Sequence, residues 1–223
     1  MRKPRIDNIK SNFNYTIDSV RDLVKSTHDN HQIPPDVKKS IRGLAIVMLF
    51  GAYEKMIKTL CAELIETAST FRGKQRNLSP QFRMVGIASQ INAIRDPAAK
   101  KSTLWERTLP NVLKQIDGEA SALTEIWPDN GEYMKRSQVL IFCQFFNLGE
   151  AIGSLGKVHN IIDSIVSQRN QIAHGELTAQ EVGRNYSEVD IDSLINDWEN
   201  GWSNFLDSVS SIVSNKAYFI NSR

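Results

Sequence analysis

The segment from Asp36 to Ser69 limits the fold more than any other part of the 223-residue chain. Between Ile41 and Ile65 its apolar residues fall on nearly every side of a helix instead of forming one stripe. A helix of this kind has to be surrounded by other elements, so the segment predicts the central helix of a bundle. Asp36, which follows the Pro34-Pro35 pair, is the expected N-cap.

Two further segments have the one-sided spacing of amphipathic helices. The first begins near Ile6, and the last begins at Asp190; both have apolar residues every three or four positions. We expect Trp198 and Trp202 of the last helix to pack in a core or at a dimer contact. The apolar stripe of the first helix is Ile6, Ile9, Phe13, Ile17, Val20 and Val24, and that of the last is Ile191, Leu194, Ile195, Trp198, Trp202, Phe205, Val209 and Ile212.

The middle of the chain predicts shorter elements. Residues 70–80 are expected to form a basic linker that ends at Ser79-Pro80. Residues 81–135 are expected to form two or three helices, with breaks near Asp96-Pro97 and at residues 127–131.

The remaining segments complete an all-α pattern. A helix is expected at about 135–148, and residues 176–189 have the composition of a loop. No segment alternates as a β-strand would. The sequence therefore predicts one all-α domain over residues 1–223, a helical bundle with a helical insertion at 70–135.

Charge is balanced overall but unevenly distributed. Between Phe71 and Lys114 there are nine basic and two acidic residues, and nine minus two gives +7. From Glu176 to Ser210 there are one basic and eight acidic residues, and one minus eight gives −7. The basic section could follow a nucleic-acid backbone, with Arg72, Lys74 and Arg76 as candidate RNA contacts. A solvated helix surface explains the same charges equally well.

Several function classes lack their sequence signals. Cys61 and Cys143 are too few for a disulfide framework, and His28 with His31 makes a poor metal site. The basic N-terminus lacks the apolar stretch of a signal peptide, and the longest apolar run, residues 139–146, is too short to span a bilayer. We therefore expect a cytoplasmic protein with no membrane contact, no metal and no cofactor.

The segment from Leu155 to Glu176 carries most of the functional signal. Helical spacing places an arginine, Arg169, near the middle of an apolar face, while His174 falls in the last turn before Gly175. The face consists of Val158, Ile161, Ile162, Ile165 and Ile172. A guanidinium in apolar surroundings needs a carboxylate, a phosphate or another subunit as its partner.

The residues alone leave two explanations of Arg169 open. One is an ion pair within the subunit, for which Glu54 is the candidate because it shares a helix face with Phe50, Ile57 and Cys61. The other is a cationic cleft formed by two copies of the chain, which would bring together Arg169, Asn170 and His174 from each copy and suit a phosphodiester. Glu54 could also orient Arg169 in the second case.

The string Arg169-Asn170-Gln171-Ile172-Ala173-His174-Gly175 resembles the RxxxxH signature of HEPN domains. With Ile161-Ile162-Asp163 before it and Glu176 after it, the segment is similar to small bacterial HEPN nucleases of the MAE_28990/MAE_18760 type and of the RiboL-PSP type. Many members of this all-α superfamily are metal-independent endoribonucleases that work as dimers. The helix at 41–68 and the last helix agree with the family in pattern only.

The resemblance implies catalytic roles for Arg169, Asn170 and His174 at a dimeric site that cleaves RNA by attack of the 2′-hydroxyl. It also implies a toxin–antitoxin or anti-phage setting, with a protein that neutralises the nuclease as a possible partner. Some HEPN toxins have a tyrosine two residues after the histidine, where an antitoxin modifies them, but this chain has Glu176 there. The alternative is a non-catalytic HEPN-like dimerisation module that binds RNA, a nucleotide or a partner protein.

Overall fold

A computed structural model describes residues 3–87, 91, 94–96, 98, 100–118, 134–216 and 218–220, with the backbone alone at 115–117. These residues are mostly helical and contain no strand, although an isolated antiparallel bridge joins Leu78 to Ile220. The all-α prediction is confirmed. The helices are α1 (Ile6–His28), α2 (Pro35–Ser69), α3 (Pro80–Gly86), α4 (Leu109–Asp117), α5 (Arg136–Phe145), α6 (Gly149–Ile152), α7 (Val158–Ala173), α8 (Ala179–Gly183) and α9 (Glu188–Ser214).

The long helix α2 lies at the centre of the bundle, as its sequence predicts. It packs against α1, α7, α8 and α9, and its buried residues are distributed all round the helix. Tyr53 of α2 stacks on Trp202 of α9 with 4.6 Å between ring centroids, and its hydroxyl donates a hydrogen bond to the Met134 carbonyl at 2.9 Å. Trp198 and Trp202 are fully buried, which confirms that they pack in the core.

The predicted starts of two helices were wrong by two residues. Helix α2 begins at Pro35 with Pro34 as its N-cap, because a proline at the first helical position has no N–H to leave unpaired. Asp36 instead accepts a hydrogen bond from Lys39 in the first turn. Helix α9 begins at Glu188, and Ser187 forms a capping box with Asp190 at the third helical position.

The acidic segment after the motif was predicted as a loop but contains the short helix α8. Its N-cap, Thr178, and Glu181 form a capping box, and the hydrogen bonds from Thr178 lower the pKa of the Glu181 carboxyl. Helix α8 packs directly on α2, and Arg42 donates a hydrogen bond to the Gly183 carbonyl at 3.2 Å. The acidic segment therefore folds back along the central helix.

Residues 70–80 are tied to the bundle and are not a free linker. A 3₁₀ turn forms at Gln75–Asn77, and the Ser79 N–H donates to the Phe219 carbonyl at 2.7 Å. Phe82 of α3 is fully buried against the rings of Phe145, Phe146, Tyr218 and Phe219. Of the predicted break near Asp96-Pro97 only Asp96 is described, and it is not helical. Pro97 and residues 127–131 lie outside the described residues, and the insertion at 70–135 stays a prediction.

No helix within the described ranges has the length and apolar character needed to cross a membrane. Both cysteines are buried, and burial raises the pKa of the Cys143 thiol to about 12.

We expect Gly43→Ala to lower the free energy of unfolding by about 1–3 kcal/mol, because the added Cβ would overlap the Ala179 carbonyl where α2 meets α8. The control is Gly51→Ala, since Gly51 is an exposed residue of the same helix with no atom near its Cβ position. That variant should stabilise the chain by about 0.5–1 kcal/mol. Chemical denaturation of both variants measures the difference, and equal effects would contradict the close α2–α8 contact.

Candidate active site

Helix α7 is held in place by the apolar face that its sequence predicts. Val158, Ile162 and Ile165 are buried, and Ile161 and Ile172 are half-buried against the core. Val166, which the pattern did not single out, is buried as well. Contacts with α2, α5, α8 and α9 fix the orientation of the helix from several sides.

The C-terminus of α7 is closed by a Schellman motif. Gly175 has a φ of 72°, and its N–H donates to the Ile172 carbonyl at 3.1 Å. The Glu176 N–H donates to the Gln171 carbonyl at 2.9 Å, which completes the pair of hydrogen bonds that defines the motif. His174 is therefore the C-cap residue, and Gly175 is the left-handed residue after it, as predicted.

Arg169 lies against an aromatic ring of the central helix. Its guanidinium carbon is 4.4 Å from the centroid of the buried Phe50 ring, which is a favourable cation–π distance. Its Nη1 donates a hydrogen bond to the Asn170 Oδ1 at 2.9 Å. Within the described residues, no carboxylate forms an ion pair with this half-buried cation. A neutral amide and a ring leave its positive charge available to an anion.

The proposed internal partner of Arg169 is engaged elsewhere. Glu54 is one turn along α2 from Phe50, but its carboxylate forms an ion pair with Lys58 at 3.0 Å. The Arg169–Glu54 ion pair that the sequence allowed is therefore wrong for the described part of the chain. Glu54 stays a candidate for a supporting role only through its position on α2.

Asn170 connects the arginine to the end of the helix. Its side-chain oxygen accepts from Arg169, and its backbone carbonyl accepts from the His174 N–H at 2.9 Å. The His174 side chain is exposed, and no described residue hydrogen-bonds to its imidazole. The structure thus brings Arg169 and Asn170 into contact and leaves the His174 ring free to meet a ligand at the same end of α7.

The three basic candidates outside α7 lie around the 3₁₀ turn at Gln75–Asn77. Arg72, Lys74 and Arg76 are all exposed, and Arg72 donates to the Ser69 carbonyl at 3.3 Å. No hydrogen bond or ion pair joins them to Arg169, Asn170 or His174 among the described residues. Their side chains are accessible from solvent, but in the described part of the chain they do not contact Arg169, Asn170 or His174.

Two supporting residues were missed from the sequence. The sequence places Phe50 on the same helix face as Glu54, but it does not show that Phe50 contacts Arg169 on another helix. Tyr186, between α8 and α9, donates a hydrogen bond to the Gln168 Oε1 at 2.9 Å and ties the acidic segment to α7 next to Arg169. The described residues contain no cluster of three or more histidine, cysteine, aspartate or glutamate side chains that could hold a metal ion.

Comparison with known proteins gives one family match. Residues 11–215 match the family model described as RiboL-PSP-HEPN, so the match includes α2, α7, α8 and α9 and contains Arg169 and His174. Neither the curated proteins nor the solved structures contain a significant match.

We expect Gly175→Ala to lower the free energy of unfolding by about 1–2 kcal/mol, because alanine disfavours the positive φ of the Schellman motif. No atom lies near the Cβ position, so the loss would report backbone strain alone. Gly175→Asn should lose less, because asparagine tolerates this conformation better. Gly149→Ala, which adds a Cβ in open space at an ordinary φ, should be neutral or stabilising in the same thermal denaturation series. An Ala effect at 175 no larger than that at 149 would contradict the motif.

Proposed function

Because the chain belongs to the RiboL-PSP-HEPN family, we propose that it is a metal-independent endoribonuclease whose site contains Arg169, Asn170 and His174. Membership of the family indicates a nuclease or another RNA-related function. The observation that carries the more specific proposal is the state of Arg169. A half-buried guanidinium with no carboxylate partner among the described residues is suited to a phosphate group.

The chemistry requires only groups that α7 provides. The 2′-hydroxyl of the substrate gives its proton to a base and attacks the adjacent phosphorus, and the bond from phosphorus to the 5′-oxygen breaks as that oxygen takes up a proton. The products are a 2′,3′-cyclic phosphate and a 5′-hydroxyl. His174 transfers a proton at the attacking or the leaving oxygen, a type of assistance that contributes about 10²- to 10⁴-fold in rate. Arg169 stabilises the charge that develops on the non-bridging oxygens.

Asn170 would orient the arginine during this reaction. Its Oδ1 holds Nη1 on one side while the Phe50 ring supports the guanidinium plane on the other. These two contacts leave the remaining N–H donors of the guanidinium for phosphate oxygens. We assign Asn170 a positioning role in addition to a possible direct contact with the phosphate.

We propose that the active species is a homodimer in which two α7 helices meet. Residues 169 and 174 are five positions apart, which corresponds to about 140° around a helix. One helix therefore directs the two side chains apart, and a second copy would place another arginine and histidine across the cleft. An isologous arrangement of this kind is the commonest form of homo-oligomer.

A toxin–antitoxin or anti-phage role is part of the proposal, and a neutralising protein is the partner that such a role requires. Glu176 stands where some HEPN toxins have a tyrosine that is modified by their antitoxin. We therefore expect a neutralising partner that acts by binding and not by modifying this position.

The direct test is RNA cleavage in EDTA by the purified chain, with transfer RNA and total RNA as substrates. We expect cleavage that Arg169→Ala and His174→Ala each reduce by at least 10²-fold, with 2′,3′-cyclic phosphate ends in the product. Arg184→Ala and His31→Ala are matched controls, because both residues are exposed and lie outside α7. Sedimentation and circular dichroism of each variant report dimerisation and folding.

The other outcomes of this experiment assign other functions. RNA binding without cleavage would support a non-catalytic HEPN-like module and contradict the nuclease. Marked destabilisation by Arg169→Ala, with no effect of the chain on RNA, would mean that the arginine is structural. Cleavage that only added metal restores would contradict the metal-independent mechanism.

A second test concerns the ring under Arg169. Phe50→Leu removes the cation–π contact, whose loss we expect to lower kcat by about 2- to 30-fold. Phe13→Leu is the control, because Phe13 of α1 is equally buried and has no contact with Arg169. Both variants should lose similar stability on denaturation, and only Phe50→Leu should lose activity. Equal loss of activity would assign Phe50 to the core alone.

A further inference from the structure

The helical run before residue 118 exposes an aromatic side chain to solvent. It consists of an α-helical turn at Lys101–Thr103, a π-helical turn at Leu104–Thr108 and α4. Trp105 is 71% exposed, whereas Trp198 and Trp202 are fully buried. Trp105 lies in the π-helical turn, a conformation that is frequent at functional sites.

Apolar residues continue along the same side of this run. Leu109 and Leu113 follow Trp105 at intervals of four residues, so the three side chains project in similar directions. Leu113 is 65% exposed and lines an open cavity of about 630 Å³ with Pro110, Asn111, Lys114 and Gly118. A ring and a neighbouring apolar cavity offer a flat ligand a place to stack.

Exposed basic residues lie on the same helical run and on the turn that it contacts. Residues 100–118 contain four basic and two acidic residues, and four minus two gives +2. The Gln75 N–H donates to the Gly118 carbonyl at 3.0 Å, so the end of α4 meets the 3₁₀ turn at Gln75–Asn77. That contact adds two more exposed cations and no acid. We define the basic–aromatic surface as six exposed residues of this run and of the turn that it contacts, namely Lys74, Arg76, Lys101, Trp105, Leu113 and Lys114.

We propose that the basic–aromatic surface binds an unpaired RNA strand, with nucleobases stacked on Trp105 and phosphates held by the surrounding lysines and arginines. Proteins that bind single strands combine these two features, a positively charged track and aromatic side chains on which bases stack. The inference rests on the proposed function in that it identifies the substrate of the α7 site as single-stranded RNA or an unpaired loop.

Charge and base accessibility argue against a duplex and against a second copy of this surface. In a duplex the faces of the bases are covered by their neighbours, so Trp105 would have nothing to stack on except at the ends. A second copy of the same surface would bring lysines and arginines of like charge together, which opposes association. An unpaired strand offers exposed base faces and complementary charge at once.

The test measures binding separately from cleavage. A labelled 12-nucleotide 2′-O-methyl pyrimidine RNA, which lacks the attacking hydroxyl, is titrated with the full chain and followed by fluorescence anisotropy. We expect Trp105→Ala to weaken binding by about 5- to 150-fold, whereas Trp105→Phe retains most of the affinity. Tyr15→Ala is the matched control, since Tyr15 is an aromatic residue of α1 that is 76% exposed and is not part of the basic–aromatic surface.

Two further measurements make the result specific. The blunt duplex of the same strand should bind more weakly than the single strand. Lys101→Gln and Lys114→Gln should each reduce the slope of log K against log salt by about 0.7. Equal binding by wild type and Trp105→Ala, or a preference for the duplex, would overturn the proposal. A Trp105→Ala change in oligomeric state without loss of RNA binding would overturn it too, by assigning the surface to a second copy.

Failure of this inference is distinguishable from failure of the nuclease proposal. If native RNA is cut with an unchanged KM in Trp105→Ala, the surface is not used by the substrate and the nuclease proposal stands. If Trp105-dependent binding is found but Arg169→Ala and His174→Ala change nothing in cleavage assays, the surface stands and the nuclease proposal fails.

Discussion

The contact between Arg169 and Phe50 joins the C-terminal end of α7 to the centre of the bundle. A guanidinium keeps its charge at any physiological pH, so its half-buried position has to be compatible with a permanent cation. The Phe50 ring attracts the guanidinium without neutralising its charge. The Asn170 amide accepts a hydrogen bond from it and is also uncharged. An ion pair with Glu54 would have removed the charge from use, but Glu54 is paired with Lys58.

This arrangement depends on elements that are remote in sequence. Helix α2 presents Phe50 because it is packed on all sides, with Tyr53 held between the rings of Phe50, Trp198 and Trp202. Helices α2 and α8 approach so closely that no side chain would fit at Gly43 or at Gly183. Through Tyr186, the segment that follows α8 holds Gln168 of α7. The acidic part of the chain thus contributes to the position of the cationic site.

The periodic parts of the fold were predictable because each depends on its own sequence. The stripe of α9, the all-round apolar character of α2 and the glycine after His174 are local properties, and each is confirmed. Helix starts were predicted less well. Both predictions chose the nearest aspartate, whereas α2 begins at a proline that precedes Asp36 and α9 is capped by Ser187, three residues before Asp190. Helix α8 was missed because five residues carry too little periodicity to outweigh a polar composition.

The sequence by itself determined the all-α class, the membership of the family and the choice of Arg169, Asn170 and His174 as candidates, because a motif on one helix is written in consecutive residues. The partners of those residues were decided only by the tertiary structure. Whether Arg169 meets Glu54 or Phe50 depends on how two helices more than a hundred residues apart pack together, and both candidates lie on one face of α2 a single turn apart. The same reason applies to Trp105, whose exposure follows from what the rest of the chain leaves uncovered.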